Sequence, residues 1–267
     1  MDRGRRIKLS LAITLVLFVA GTVAMTTYTL WLLRTNAVKN GLEVSALLSR
    51  SFEDFLTQSL NVTELVGAQF IWAKGVNPSE QKISADFVAI LRRSPYLRSV
   101  SILDENDAII ASSNPVNIGF VVKTQDFLPT MTGTQSVLRI GQPWAGRDFS
   151  VGKPLVSHAD AGVTESFIPL TQSVSMGMRK LRLLVGLNPD YFVQHMAQQL
   201  GSDAGFVEVR RLDGTLLMTT MPESGGRVGQ KVEMQKLRFD DVEFGQIEQD
   251  EDGHLARLTS FRVSSLY

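Results

Sequence analysis

Leu103-Asp104-Glu105-Asn106-Asp107-Ala108-Ile109-Ile110-Ala111-Ser112-Ser113, followed by Pro115 and Ile118-Gly119, decides the fold because it occurs twice. Its echo is Leu212-Asp213-Gly214-Thr215-Leu216-Leu217-Met218-Thr219-Thr220, followed by Pro222 and Val228-Gly229. In both, a strand, an acidic turn, an apolar strand, small hydroxyl residues, a proline and a hydrophobic-glycine pair come in the same order. Acidic and amide residues between two short apolar runs are hairpin chemistry. One such hairpin is commonplace. Its recurrence about 108 residues later, with gaps of two and three residues, implies two related subdomains.

Outward from the first copy, Val100 and Ile102 alternate with polar neighbours, as in a strand. A short helix is expected before it, at 84–93, and strands after it at 136–141, 165–174 and 180–187. In the last of these Leu181, Leu183, Val185 and Leu187 recur at period two. Asn188 as cap and Pro189 at the first helical position then start a helix to about Leu200. Beyond the second copy, strands are expected at 232–248 and 254–263. Upstream, Val44, Leu48, Phe52, Phe55, Val62, Val66 and Phe70 follow three- and four-residue steps, widened by Leu47, Leu56 and Leu65, so 36–73 reads as one long helix.

That helix is preceded by 25 uncharged residues, Leu9 to Leu33, enough to cross a hydrocarbon core of about 30 Å. Arg3, Arg5, Arg6 and Lys8 crowd the amino-terminal flank, against Arg34 and Lys39 on the other, which puts the amino terminus in the cytoplasm and everything after Arg34 outside. A signal peptide cleaved after Thr22-Val23-Ala24 is the alternative, but the apolar run continues to Leu33, and Tyr28 and Trp31 suit an interfacial belt.

Composition narrows the function. Lys+Arg and Asp+Glu both number 27, so no chain-wide positive field is available to hold a nucleic-acid backbone, and nucleic acid is not an expected partner. Cys is absent, which removes disulfides, thiolate metal sites and a Cys nucleophile. His158, His195 and His254 lack metal-binding spacing and read as surface residues. Glu248-x-Asp250-x-Asp252-Gly253 begins like a calcium loop, but Thr259 stands where a bidentate Glu is needed, and a solvated turn is the better reading. Ser224 to Lys231 misses the phosphate-loop register. No nucleophile, metal or acid-base constellation is legible, so neither an enzyme nor a cofactor is expected in these residues.

Taken in order, several segments resemble the double Cache (dCache) family of extracytoplasmic sensors. They are Ser101-Ile102-Leu103-Asp104 through Ser113 with Ile118-Gly119, then Ile140-Gly141-Gln142-Pro143, then Phe167-Ile168-Pro169-Leu170-Thr171, and Leu184 through Phe192. The resemblance covers residues 9–267. It implies an α+β fold in which a transmembrane helix continues into a long helix and then two PAS-like antiparallel-sheet subdomains, the second truncated. The corresponding division is 1–8 cytoplasmic, 9–33 membrane, 34–78 long helix, 79–201 distal subdomain and 202–267 proximal subdomain. It also implies small-molecule sensing at an inner membrane, a homodimer through the long helix, and a missing cytoplasmic output domain, a diguanylate cyclase ahead of a histidine kinase or chemoreceptor. The competing class is a membrane-anchored binding or assembly protein.

The family's amino-acid-binding subset carries an Arg-x-Trp-Tyr element that this chain lacks: Arg139 and Trp144 are wrongly spaced and no Tyr follows. A pocket is expected over one face of the distal sheet. Ile168, Leu170 and Val174 share the other face, leaving Phe167 and Thr171, with Arg139, Trp144 and Arg147, as the candidate lining. The arginines would suit an anionic ligand such as a carboxylate.

Overall fold

The computed structural model describes residues 3–72, 79–128, 138–155, 165–176, 179–201, 205–221, 228–231, 243–249 and 257–264. The expected strand segments 136–137, 232–242 and 254–256, most of the acidic run Asp240 to Asp252, and Ser224 to Arg227 lie outside the described residues.

Helix α1 runs unbroken from Arg3 to Trp72. Its apolar part is long and hydrophobic enough to cross a membrane, and its most apolar stretch is not buried. The threonines there do not compete with the helix. Thr14, Thr22, Thr26, Thr27 and Thr29 each donate a hydroxyl to the carbonyl four residues back, at 2.8–3.0 Å. Hydroxyls satisfied within their own helix cost little in an apolar surrounding.

The described residues form two compact units. The first holds α1 up to Arg50 and a terminal hairpin, β10 (Phe244–Gln249) paired with β11 (Arg257–Arg262). Gly41 seats it: a Cβ there would lie 2.7 Å from the Leu258 side chain. Gln246 Nε2 donates to the Leu42 carbonyl at 3.0 Å, and Ser49 Oγ to that of Ser260 at 3.3 Å.

The second unit holds the end of α1, α2 (Glu80–Arg93), α3 (Pro189–Leu200) and a seven-stranded antiparallel sheet. Its strands are β1 (Leu97–Leu103), β2 (Ile109–Ser112), β3 (Arg139–Ile140), β4 (Trp144–Ala145), β5 (Lys153–Pro154), β6 (Ser166–Met176) and β7 (Arg179–Leu187). The order is β2-β1-β7-β6-β4-β5, with β3 beside β6. A second hairpin, β8 (Glu208–Arg210) with β9 (Leu216–Thr219), belongs to the same unit. The fold is thus α+β, as the resemblance implies.

Alternation assigns the two faces of the sheet. Val100, Ile102, Ile168, Leu170, Leu183 and Val185 belong to one face, and all are buried. α2, with Ile83 and Phe87 inside, packs on β1 and β2, and α3, with Phe192 and Met196 inside, packs against β6 and β9. Phe55 of α1 stacks on His195 at 4.1 Å and meets Phe192 at 5.4 Å, so His195 is half-buried packing and not the surface residue expected. The other face holds one aromatic-rich cluster of Leu103, Ile109, Val122, Phe127, Trp144, Phe149, Phe167 and Leu184.

The internal repeat is present bond for bond. In the first hairpin Leu103 pairs Ile109 after a bulge and Ser101 pairs Ser112; in the second Arg210 pairs Leu216 after a bulge and Glu208 pairs Thr219, a constant offset of 107. The Val100 amide donates to Ser113 Oγ and the Val207 amide to Thr220 Oγ1; Gly119 donates to Ile109 and Gly229 to Leu216. The structural alignment corrects the one read from sequence by two residues. Asp104 matches Arg211 and not Asp213, because the left-handed turn position is Asp107 (φ 64°) in one copy and Gly214 (φ 88°) in the other.

Candidate ligand site

The face of the sheet away from the helices is built on β6. Phe167 and Thr171 stand four residues apart on it and so project to the same side. Trp144 of β4 is registered with Phe167, and Arg139 of β3 with Thr171. Four of the five expected residues are therefore brought together as two cross-strand pairs. Arg147 is exposed on the loop after β4, outside this arrangement.

The aromatic pair is packed into the core. Phe167 is fully buried, 4.8 Å from Phe149 and 5.7 Å from Trp144 between ring centroids, and Trp144 meets Phe127 edge-on at 5.3 Å. Gly152 makes the fit possible: a Cβ there would lie 2.8 Å from the Phe167 ring. Two polar atoms are stranded in this core. Trp144 Nε1 and Ser99 Oγ are buried with no hydrogen-bond partner among the described residues. Ser99 Oγ and the Phe167 ring both border Gly186, where an added Cβ would sit 2.9 Å from the first and 3.4 Å from the second.

Beside the aromatics lies a polar cage that the sequence reading did not single out. Ser101 Oγ and Ser112 Oγ are 2.8 Å apart, and Ser112 Oγ accepts the Asn114 amide at 3.1 Å and Asn117 Nδ2 at 3.5 Å. Asn114 Nδ2 donates to Asp148 Oδ2 at 2.9 Å, the Phe149 amide to Asp148 Oδ1 at 2.8 Å, and the Ser150 amide to Asn117 Oδ1 at 3.1 Å. Ser99, Ser101 and Asn117 are fully buried, so the polar side of β1 is covered. Those serines alternating with Val100 and Ile102 were the available signal.

At the other end of the face, Arg182 ion-pairs with Asp107 and donates to Thr124 Oγ1 at 2.6 Å. Burial first, and then the positive charge of Arg182, pull the Arg139 guanidinium below its ordinary pKa. The face thus grades from a dry aromatic core to a half-buried cationic edge. Among the described residues no group of three His, Asp or Glu is placed to hold a metal.

No family model and no curated protein sequence matches the chain. Solved structures do. The extracellular domain of rpHK1S-Z16, assigned as a histidine kinase, is 14% identical with a TM-score of 0.59, over 87% of this chain and 91% of that one. An extracellular ligand-binding receptor from Desulfohalobium retbaense is 13% identical with a TM-score of 0.56, over 83% of this chain and 38% of that one. At such identities the likeness is one of fold. The chain shares the α+β fold of these extracellular domains, joined here to a helix able to span a membrane.

Proposed function

We propose that the chain is the ligand-sensing part of a single-span inner-membrane receptor, its amino terminus cytoplasmic and residues after 34 periplasmic. A small anionic molecule binds on the non-helical face of the sheet. Arg139 and Thr171 hold its charge and Trp144 and Phe167 its apolar part, with Arg147, on the exposed loop after β4, free to reach the ligand from outside. Two copies associate through α1, and the signal passes to a cytoplasmic output domain of the diguanylate cyclase kind.

The observation that carries this reading is the pair of stranded buried groups, Trp144 Nε1 and Ser99 Oγ, flanking Phe167. An unpaired buried donor costs roughly 1–3 kcal/mol, which a fold retains where a guest can recover it. Binding shifts populations only through different affinity for two states, and repacking of Phe167 supplies two.

The test is a thermal-shift titration of the full chain in lipid nanodiscs against a panel of small carboxylates. A ligand present at about 100 times its Kd raises stability by about 2.7 kcal/mol. One or more of the panel is expected to do so, with the shift lost in Arg139→Ala. Silence across the panel, or an undiminished shift in that variant, sinks the reading.

A further inference from the structure

The two hairpins share a hydrogen-bond plan and differ most at one matched position. In the first, Asp104 closes its turn on itself: Oδ1 accepts the amides of Asn106 at 2.8 Å and Ala108 at 2.9 Å. Its counterpart Arg211 reaches out of its hairpin. The guanidinium grips Asp213 with Nε on Oδ1 at 3.0 Å and Nη2 on Oδ2 at 2.6 Å, while Nη1 donates to the Ile140 carbonyl at 3.2 Å. Nη2 also reaches Thr215 Oγ1 at 3.3 Å. A planar fork held on two sides by a carboxylate is a fixed donor and not a loose charge. That grip keeps the Asp213 carboxyl far below the usual carboxylate range.

The carbonyl it reaches belongs to β3, the two-residue strand that carries Arg139. On its other side β3 is locked to β6: the Gly141 amide donates to the Pro169 carbonyl at 2.8 Å, and a Cβ on Gly141 would overlap both Phe127 and Pro169. Among the described residues β3 pairs with no strand but β6, so Arg211 holds its free edge. A separate contact joins the second repeat to the segment after β5, where Gly229, at φ 85°, lies against Leu155, a Cβ there falling 2.7 Å from the Leu155 carbonyl oxygen.

We propose that Arg211 is a latch: through the Ile140 carbonyl it makes the strand bearing Arg139 and the second hairpin move as one. This rests on the ligand reading above for its purpose, but not for its test. A ligand drawing on Arg139 shifts β3, and the fork passes that shift to Asp213 and the turn at Gly214. Arg211 is a positioning residue; it touches no ligand itself. Coupling of this kind is reciprocal, so disturbing either end is felt at the other.

Hydrogen-deuterium exchange on the full chain in nanodiscs, with no ligand added, reads the latch directly. Arg211→Ala is expected to speed exchange of the Gly141 and Gln142 amides by about tenfold, the loss of one charge-assisted hydrogen bond. Amides in β1 and β7 are unchanged. Arg211→Lys, which keeps the charge and is the safer variant for folding, speeds the same amides because a single ammonium cannot hold Asp213 and Ile140 together. Arg139→Ala speeds exchange at Gly214 to Leu216 in the wild-type background but adds nothing in Arg211→Ala. Unchanged exchange at 141–142 overturns the latch, as does an Arg139→Ala effect equal in both backgrounds. Uniform acceleration through β1, β6 and β7 also overturns it, since Arg211 then merely holds the fold. None of these outcomes bears on whether a ligand binds; the carboxylate titration decides that separately.

Discussion

Ser99 and Gly186 face each other across β1 and β7, and the fold pays for the hydroxyl between them. Its oxygen is fully buried with no hydrogen-bond partner among the described residues, and it leaves no room for a Cβ on residue 186. Ser99→Ala deletes an unsatisfied group of nearly the same shape, so apo stability is expected to stay level or rise by up to about 1 kcal/mol. Gly186→Ala alone is expected to lose about 1–3 kcal/mol by overpacking. In the double variant most of that loss is recovered, because the clashing oxygen is gone; residues in contact do not add. Urea unfolding followed by near-UV circular dichroism measures all three. Strict additivity would show that Ser99 Oγ is not what Gly186 accommodates. A ligand response weakened in Ser99→Ala at undiminished stability would mark the hydroxyl as kept for binding.

At the scale of elements, what the sequence disclosed depended on length. Strand β7 and helix α3 show their period over nine and twelve residues, and both lie close to where pattern and punctuation put them. Even there the cap differs: Asn188 makes no capping bond, and its Nδ2 donates to the Pro95 carbonyl instead. Strands β4 and β5, two residues each, are too short to carry a period; β4 forms on the edge of β6, and β5 on the edge of β4. Phe149 and Asp148 reach the site from an irregular loop and Asn117 from a short 3-10 turn, none of which carries a period.

The repeated hairpin was visible as a pattern but not in register, since Leu-Asp matched Leu-Asp while the backbone aligned the left-handed positions. That geometry yields a contrast between equivalent glycines. Gly119 and Gly229 share φ near 86°, so an alanine at either costs about 1 kcal/mol in backbone strain. Around Gly119 there is open space, whereas Gly229 abuts the Leu155 backbone. Gly229→Ala is therefore expected to exceed Gly119→Ala by about 1–3 kcal/mol. Equal losses by denaturant titration would mean that Leu155 yields freely.

For the whole molecule, the absence of cysteine is an experimental convenience, because any introduced thiol is unique. Orientation follows from it. In intact cells a membrane-impermeant maleimide is expected to label Ser51→Cys, an exposed position on α1, and to label Gly4→Cys only after permeabilisation. The reverse pattern would invert the proposed topology. The candidate residues were named from sequence, β-strand alternation putting Phe167 and Thr171 on one face, and it is cross-strand register that sets Trp144 and Arg139 beside them. What alternation could not say was that residues from within 113–128 and 141–155 cover this face and bury Ser99 and Ser101.

Helix α1 has one further consequence, which concerns phase. Between Arg34 and Gly41 there is no break in its hydrogen-bonded turns, so the apolar segment and the turn that seats the terminal hairpin are geared to one another. Each residue inserted there would turn one against the other by about 100° and lengthen the shaft by about 1.5 Å. The spacing between Arg34 and Gly41 is therefore under an angular constraint, and natural length variation there would be tolerated in steps of seven residues or of three or four, not singly.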